Sequence, residues 1–571
     1  MSEKVDKLLN RMTLEQKIGQ MFCLGFCGTY PYPDIIEMIE KYHVAGFRVT
    51  PQARKFIRYL GSDHPGATRV ERKPEYNERR VGSNYGVPVL TPREYAEVLN
   101  TLRLRSIETG AGIPLYFSLD FEGNGKGDVM GPNIWGVPHP MGLAAAGDKE
   151  LTRKVGRLVG RQLKAVGIDW VHSPDMDVNT DPANPEIGTR SFSPDPGICG
   201  EFGLQMYLGY RDSKLVATGK HFPGRGHSAK DAHYDVPVIE ESGDRMREVH
   251  LAPYRPLIEQ GLPCIMLAHS VYPALDPSNE ISTLSKPIVT GVLREELGFD
   301  RVIITDSFTM GGLVARYEVP EAAVRAFEAG VDLLLLKDEN ALRREVFEAV
   351  FEAVRSGRIP EEQVEKSVRR VLDVKEEYGL LDPADCMVDL DKVDTILADP
   401  ESREVSRESS RRTVVTLRSG DALPAKKGAR ILVAEETMGP HTSQMHCGYL
   451  YEALLERGAD VRFIDWDRKD GLTRALPVIE EMAAESDVIV FTGYYSRQEG
   501  CGREMYQRLA SMGKPAIAVV NAPYGIIVED GWKNVIVHFN PTAFSMQKVA
   551  EIIMGIEPAE AQLGFDPTQK Y

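Results

Sequence analysis

The stretch KHFPGRGHSAKDAHYDVP, residues 220–237, gathers side chains able to carry protons and hold charge. Lys220 and His221 end an apolar run, and a Gly/Pro-rich loop then carries Asp231 and His233. In extended chain this spacing lets the Asp231 carboxylate reach one ring nitrogen of His233, fixing the tautomer and leaving the other nitrogen for proton transfer. A loop histidine that merely bonds its neighbour is the competing account. A metal centre from His221, His227, Asp231 and His233 is disfavoured, because Lys220 and Arg225 bring positive charge and no two of these histidines have helical ligand spacing. Neither metal nor cofactor is expected. RVIITDSFTMGG, residues 301–312, sets Asp306 directly behind a β-branched run. An acid there is costly to desolvate unless it is paired or used; a carboxylate capping the next helix accounts for it equally well.

These residues need a scaffold that ends many strands on one side. Eight short apolar runs supply it: IGQMFCLGF, HVAGFRV, IPLYFSLD, GIDWVHSPDMDV, LVATGKHF, CIMLAHS, RVIITDS and VDLLLLK. Amphipathic stretches such as 151–167 and 320–330 lie between most of them, so strand and helix alternate to about residue 340. Near-continuous apolar strands separated by helices predict a parallel barrel, with an open doubly wound sheet as the alternative. Asp120, Asp175, Asp177, Lys220, His221, His269, Asp306 and Lys337 all fall at or beyond the C-terminal ends of these runs, which favours the barrel because barrel enzymes place their chemistry at that rim. At the start, Leu8, Leu9 and Met12 share a helical face, and Thr13 with Gln16 forms a capping box.

A polar, acidic passage follows the helical segment 361–381. Beyond it RTVVTLR, ARILVAEE, DVRFIDW, DVIVFTGYY, PAIAVVNAPYG and VIVHF alternate with helical segments. The expectation is an α/β protein with an N-terminal (β/α)8 TIM-type barrel over 1–381, a linker over 382–411 and a smaller C-terminal α/β sandwich domain over 412–571. Residues 51–89 are basic and aromatic without a period; they read as a loop excursion leaving a strand's C-terminal end, placed to wall or cover the barrel's upper face.

The formal charge of −16 argues against nucleic acid or an anionic membrane surface as the main partner. Seven cysteines without a CxxC pair are expected as reduced thiols. The first residues are broken by charge throughout and hold no long apolar run, so cytoplasmic residence is expected. Self-association into a homo-oligomer stays open.

Motifs along nearly the whole chain resemble glycoside hydrolase family 3, and within it the bacterial β-N-acetylglucosaminidases (β-N-acetylhexosaminidases) of the His-Asp dyad, cell-wall recycling type. They are LLNRMTLEQKIGQMF, PLYFSLDFEG, GIDWVHSPDMDVNTDPANPEIGTRSF, KHFPGRG with DAH, STLSKPIVTGVLREELGFDRVIITDSFTMGG and MGIEPAEAQLGF. The resemblance implies that Asp306 is a catalytic nucleophile, that Asp231 and His233 form the acid/base dyad, and that Asp120, Arg190, Lys220 and His221 hold hydroxyls of a terminal sugar. In some members a carboxylate of the second domain is the acid, which would make Glu435, Glu436 or Glu499 candidates; with the dyad present, that domain is expected to pack against the barrel. The chain departs from the pattern at DFEGN, where the family has DQEGG, at Ala232, where the dyad's middle residue is serine, and in its expanded second-strand loop.

The expected activity is that of a retaining exo-β-glycosidase, a β-N-acetylglucosaminidase acting on small glycosides or muropeptides by double displacement. The alternatives are a β-N-acetylglucosaminide phosphorylase, a β-glucosidase or β-xylosidase, and a catalytically silent sugar-binding protein.

Overall fold

The computed structural model describes residues 2–50, 90–123, 134–230, 232, 235–337, 341–437, 448–467, 471–493, 503–524 and 532–571. The 51–89 excursion, Asp231, His233 and Glu499 lie outside the described residues.

Each of the eight apolar runs forms a strand. These are β1 (Phe22–Cys27), β2 (Gly46–Thr50), β3 (Tyr116–Leu119), β4 (Trp170–Val171), β5 (Val216–Phe222), β6 (Cys264–Leu267), β7 (Val302–Thr305) and β8 (Leu334–Leu336). They pair in parallel and in sequence order, and β8 returns to β1 with Phe22 opposite Leu334. A parallel bridge from Ile304 to Leu333, with the Thr305 N–H donating to the Leu333 carbonyl at 3.1 Å, joins β7 to β8. That closure rules out the open doubly wound sheet.

Period-two alternation sorts the strand residues into two cores. Cys23, Tyr116, Trp170, Val216, Met266, Ile304 and Leu335 fill the barrel, where Trp170 packs on Tyr116 with ring centroids 4.7 Å apart. Their neighbours along each strand pack outward against the helices, as Phe222 does on Tyr254. Helix Glu361–Glu377 brings Val371, Val374 and, just beyond it, Tyr378 into the inner cluster. At the other end β1 needs Gly25, since a Cβ there would lie 1.7 Å from the Lys337 carbonyl; the glycine lets the end of β8 close in. Thr13 caps helix Leu14–Gly19 with Gln16 completing the capping box.

A second sheet has the order β11-β10-β12-β13-β14-β9, formed by β9 (Val415–Arg418), β10 (Arg430–Thr437), β11 (Asp460–Asp467), β12 (Val488–Gly493), β13 (Ala516–Val520) and β14 (Val535–Val537). It is parallel except for β9 on β14. Separate apolar clusters on its faces make it the middle layer of an α/β sandwich. Met141 and Ala145 from helix Pro140–Ala145 of the barrel belong to one of those clusters, and the His139 N–H donates to the Phe539 carbonyl at 3.1 Å. In chain order, helices Pro383–Cys386, Val393–Leu397 and Pro400–Arg412 come between the strands of the two sheets. Cys23, Cys199, Cys264 and Cys386 are free thiols. Among the described residues, no helix is long and apolar enough to cross a membrane.

Candidate active site

The C-terminal ends of the barrel strands surround a cavity of about 160 Å³, and its described lining comes entirely from the barrel. Asp306 follows β7 and is 15% exposed toward it. Its Oδ1 accepts the Ser307 N–H at 2.7 Å, and its Oδ2 lies 3.3 Å from Nη1 of Arg225 and 4.0 Å from Nε2 of His221. The carboxyl group therefore points into the cavity and does not turn back to cap the next helix.

His221, in β5, is aimed by a buried acid behind it. Asp177 Oδ2 lies 2.7 Å from Nδ1 and also accepts the His221 backbone N–H at 3.3 Å, while Oδ1 accepts the Arg225 N–H at 2.7 Å. Burial, reinforced by the neighbouring Asp175 carboxyl, pushes Asp177 well above the usual carboxylate range. The short Asp177 contact at Nδ1 fixes the ring, and Nε2 is the nitrogen turned toward Asp306.

The opposite wall is an ionised network. Lys220 Nζ lies 3.0 Å from Asp120 Oδ1 and also pairs with Glu122. Arg190 donates through Nε and Nη2 to the two oxygens of Glu122 at 2.7 Å each, and Nη2 is 3.4 Å from Asp175. Arg48, in β2, pairs with Asp120 from the other side. Burial opposes the charges of Asp120, Glu122 and Lys220, and their partners outweigh it: Lys220 and Arg48 hold Asp120 well below the carboxylate range, Arg190 and Lys220 do the same for Glu122, and Asp120 and Glu122 keep the Lys220 ammonium raised. Asp120 is the member open to the cavity, its side chain 35% exposed against 2% for Lys220 and 8% for Arg190.

Local backbone sets these positions. The loop after β5 runs backbone to backbone against the loop after β4, where a Cβ on Gly226 would lie 1.8 Å from the Val178 carbonyl. Arg225 is thereby laid between Asp306 and Glu186, whose Oε1 sits 2.9 Å from Nη2. Asp175, Asp177 and His221 bring ligand atoms within 4.8 Å of one another, a possible metal cradle, but the guanidinium beside Asp175 competes for that place.

Five of the seven expected site residues, Asp120, Arg190, Lys220, His221 and Asp306, thus converge on one cavity. For Asp231 and His233, the described chain between them is Ala232, which is buried and whose N–H donates to Glu186 Oε2 at 3.4 Å. Met310, buried behind Asp306, also lines the cavity. Glu435 of the second sheet accepts the Gly448 N–H at 2.9 Å and is not among the lining residues.

A family model described as the glycosyl hydrolase family 3 N-terminal domain matches residues 13–374, more than half of the chain. The chain belongs to glycosyl hydrolase family 3.

Among curated family relatives, β-hexosaminidase A of Pseudoalteromonas piscicida is 26% identical over 353 residues, 58% of this chain and 58% of the relative. A Cellulomonas fimi protein named β-N-acetylglucosaminidase/β-glucosidase is 27% identical over 376 residues, 62% of this chain and 65% of the relative. The chain spans less than two thirds of the length of these two relatives. Among solved structures, a glycoside hydrolase family 3 β-N-acetylglucosaminidase from Paenibacillus matches with a TM-score of 0.82 at 27% identity, covering 98% of this chain and 100% of that one.

Reasoning from the sequence missed four partners that this family 3 site uses: Arg48, Glu122, Glu186 and Arg225. Arg48 had a signal, a lone charge inside the buried strand run HVAGFRV. Glu122, Glu186 and Arg225 all sit in family motifs, but nothing local pairs them.

Proposed function

We propose that this chain is a retaining exo-β-glycosidase, a β-N-acetylglucosaminidase that removes terminal GlcNAc from small glycosides or muropeptides. One observation carries the reading: Asp306 projects into a cavity at the strand ends whose walls hold fixed charges. The names of the family relatives and of the Paenibacillus structure support the choice of sugar.

In the first step an Asp306 oxygen bonds to the anomeric carbon as the bond to the departing oxygen breaks, and His233 gives that oxygen its proton. In the second, His233 takes a proton from water, the water oxygen bonds to the same carbon, and the Asp306 carboxylate is released. Two displacements retain the configuration. An unperturbed histidine titrates near pH 6.5, so His233 can serve as acid and then as base, with Asp231 supporting its charged form. Asp120 is the wall carboxylate with room to accept a sugar hydroxyl, while Lys220, Arg48 and Arg190 hold the acids rigid around it. His221 offers Nε2 beside the nucleophile.

Release of nitrophenol from aryl GlcNAc and aryl glucose, each with and without inorganic phosphate, tests the reading. It expects preference for GlcNAc and free sugar as product under both conditions. A sugar 1-phosphate formed only with phosphate would make the protein a phosphorylase, and preference for glucose would make it a β-glucosidase.

A further inference from the structure

Double displacement changes the charge on Asp306, and a buried cation beside it must tolerate that change. Arg225 is 2% exposed and shared between two acids, with Nη1 3.3 Å from Asp306 Oδ2 and Nη2 2.9 Å from Glu186 Oε1. When the Asp306 oxygen bonds to the anomeric carbon and the leaving group departs with its proton, the carboxylate becomes a neutral ester. Arg225 then loses one counter-charge until water attacks that carbon and the carboxylate returns. A buried guanidinium with no partner is costly, so the second acid matters most in this interval.

We propose that Glu186 is a positioning residue that divides the Arg225 guanidinium with Asp306: it draws the cation off the free nucleophile and remains as its counter-charge while Asp306 is esterified. The inference rests on Asp306 as nucleophile. Glu186 exchanges no proton and forms no bond in either step.

Three observations separate this role from a purely local one. The turn holding Glu186 is built by Asn184, whose Oδ1 accepts the N–H of Glu186 at 2.9 Å and of Ile187 at 2.8 Å, so the backbone does not need the Glu186 carboxylate. Asn184 also donates to the Arg225 carbonyl at 2.9 Å, fixing the arginine's backbone independently. Glu186 Oε2 accepts the Ala232 N–H at 3.4 Å, which ties the same carboxylate to the chain between Asp231 and His233. Charged groups near the pair among the described residues include Arg190, 3.9 Å from Glu186, Asp177, which accepts the Arg225 N–H, and Lys337, which lines the same cavity. Asp306 is faced by His221 at 4.0 Å, and His269 bonds the adjoining Ser307 carbonyl at 3.1 Å.

The test uses Glu186→Gln, which keeps the shape and removes the charge, its one amide oxygen serving either Ala232 or Arg225. With the whole guanidinium charge on Asp306, the acid limb of the kcat/KM profile moves to lower pH, by about one unit. Formation of a fluoro-sugar ester on Asp306 slows about tenfold, while its hydrolysis accelerates because the ester now leaves Arg225 unpaired. Glu186→Asp, which only draws the carboxylate back, shifts all three quantities in the same directions by less and serves if the glutamine variant does not fold. Arg225→Met moves the acid limb upward. A structural role would slow ester formation and hydrolysis together. That outcome, or an unmoved acid limb, overturns the proposal. Were the wild type never esterified at Asp306, the proposed function itself would fail. The Asp306 carboxyl titration, followed by infrared difference against Asp306→Asn, then decides the sharing alone: lowered by Glu186→Gln it stands, unchanged it falls.

Discussion

His221 and Asp177 form a buried pair with Nδ1 and Oδ2 2.7 Å apart, and the far nitrogen of the same ring lies 4.0 Å from Asp306. The acid fixes the ring and the ring faces the nucleophile. Replacing Asp177 by Asn keeps an acceptor but gives Nδ1 a different partner. On aryl GlcNAc kcat/KM is expected to fall by up to about 100-fold with the thermal midpoint little changed, the cost of a displacement of about 1 Å in the ring that faces the nucleophile. Paired kinetic and melting measurements check it.

Lys220 holds Asp120 and Glu122 together at the cavity wall. Lys220→Met would leave Asp120 to Arg48 and His172, and Glu122 to Arg190. Removing one partner from a buried ion network costs about 3–5 kcal/mol. Chemical unfolding should give a loss in that range, and KM for the glycoside should rise as Asp120 loses its fixed position.

Gly226 has no space for a side chain, since its Cβ would meet the Val178 carbonyl at 1.8 Å. Gly226→Ala should force the two loops apart at a cost of about 1–3 kcal/mol. It also moves Arg225, the neighbour of Asp306, and a displacement of about 1 Å at such a site costs on the order of 100-fold in rate. Activity is therefore expected to fall further than the unfolding free energy would suggest.

Glu435 gives the stability a pH dependence of its own. Burial pushes its carboxyl from 4.5 up to about 7. The folded state then binds a proton that the unfolded chain has already released, so stability falls as pH rises from about 4.5 and levels off above about 7. The total effect is about 3 kcal/mol. Glu435→Gln should abolish this slope, leaving the variant more stable than the wild type at pH 8 and similar at pH 4. Urea unfolding of the second sheet at both values decides it.

His233→Ala should discriminate between leaving groups. Loss of a general acid slows departure of a poor leaving group by about 100- to 10,000-fold, while an activated aryl oxygen needs little protonation. Equal, nearly undiminished rates on both substrates would put the proton donor elsewhere.

The barrel is legible in the sequence because strands covered on both faces must be apolar almost throughout, so β1 to β8 stand out as runs ended by polar residues. The same contrast exposes Asp306, Lys220 and His221, each at a run's end. Their partners are a different matter. Lys220 meets Asp120 across 100 residues, and Arg190 meets Glu122 across 68. Barrel closure makes those pairs, and no local spacing encodes it. Arg225 reads on its own as a loop cation competing with a metal. Only the approach of the Gly226 backbone to Val178 shows that it is laid beside the nucleophile.

The account stands most directly on the bond that Asp306 forms. Incubation with a 5-fluoro glycosyl fluoride of the GlcNAc series, followed by proteolysis and mass spectrometry, reads that bond residue by residue. The predicted result is one sugar per chain, attached within VIITDSF at Asp306 and absent from Asp306→Asn. A sugar carried by any other carboxylate, or an active enzyme that turns over without any covalent adduct, would contradict it.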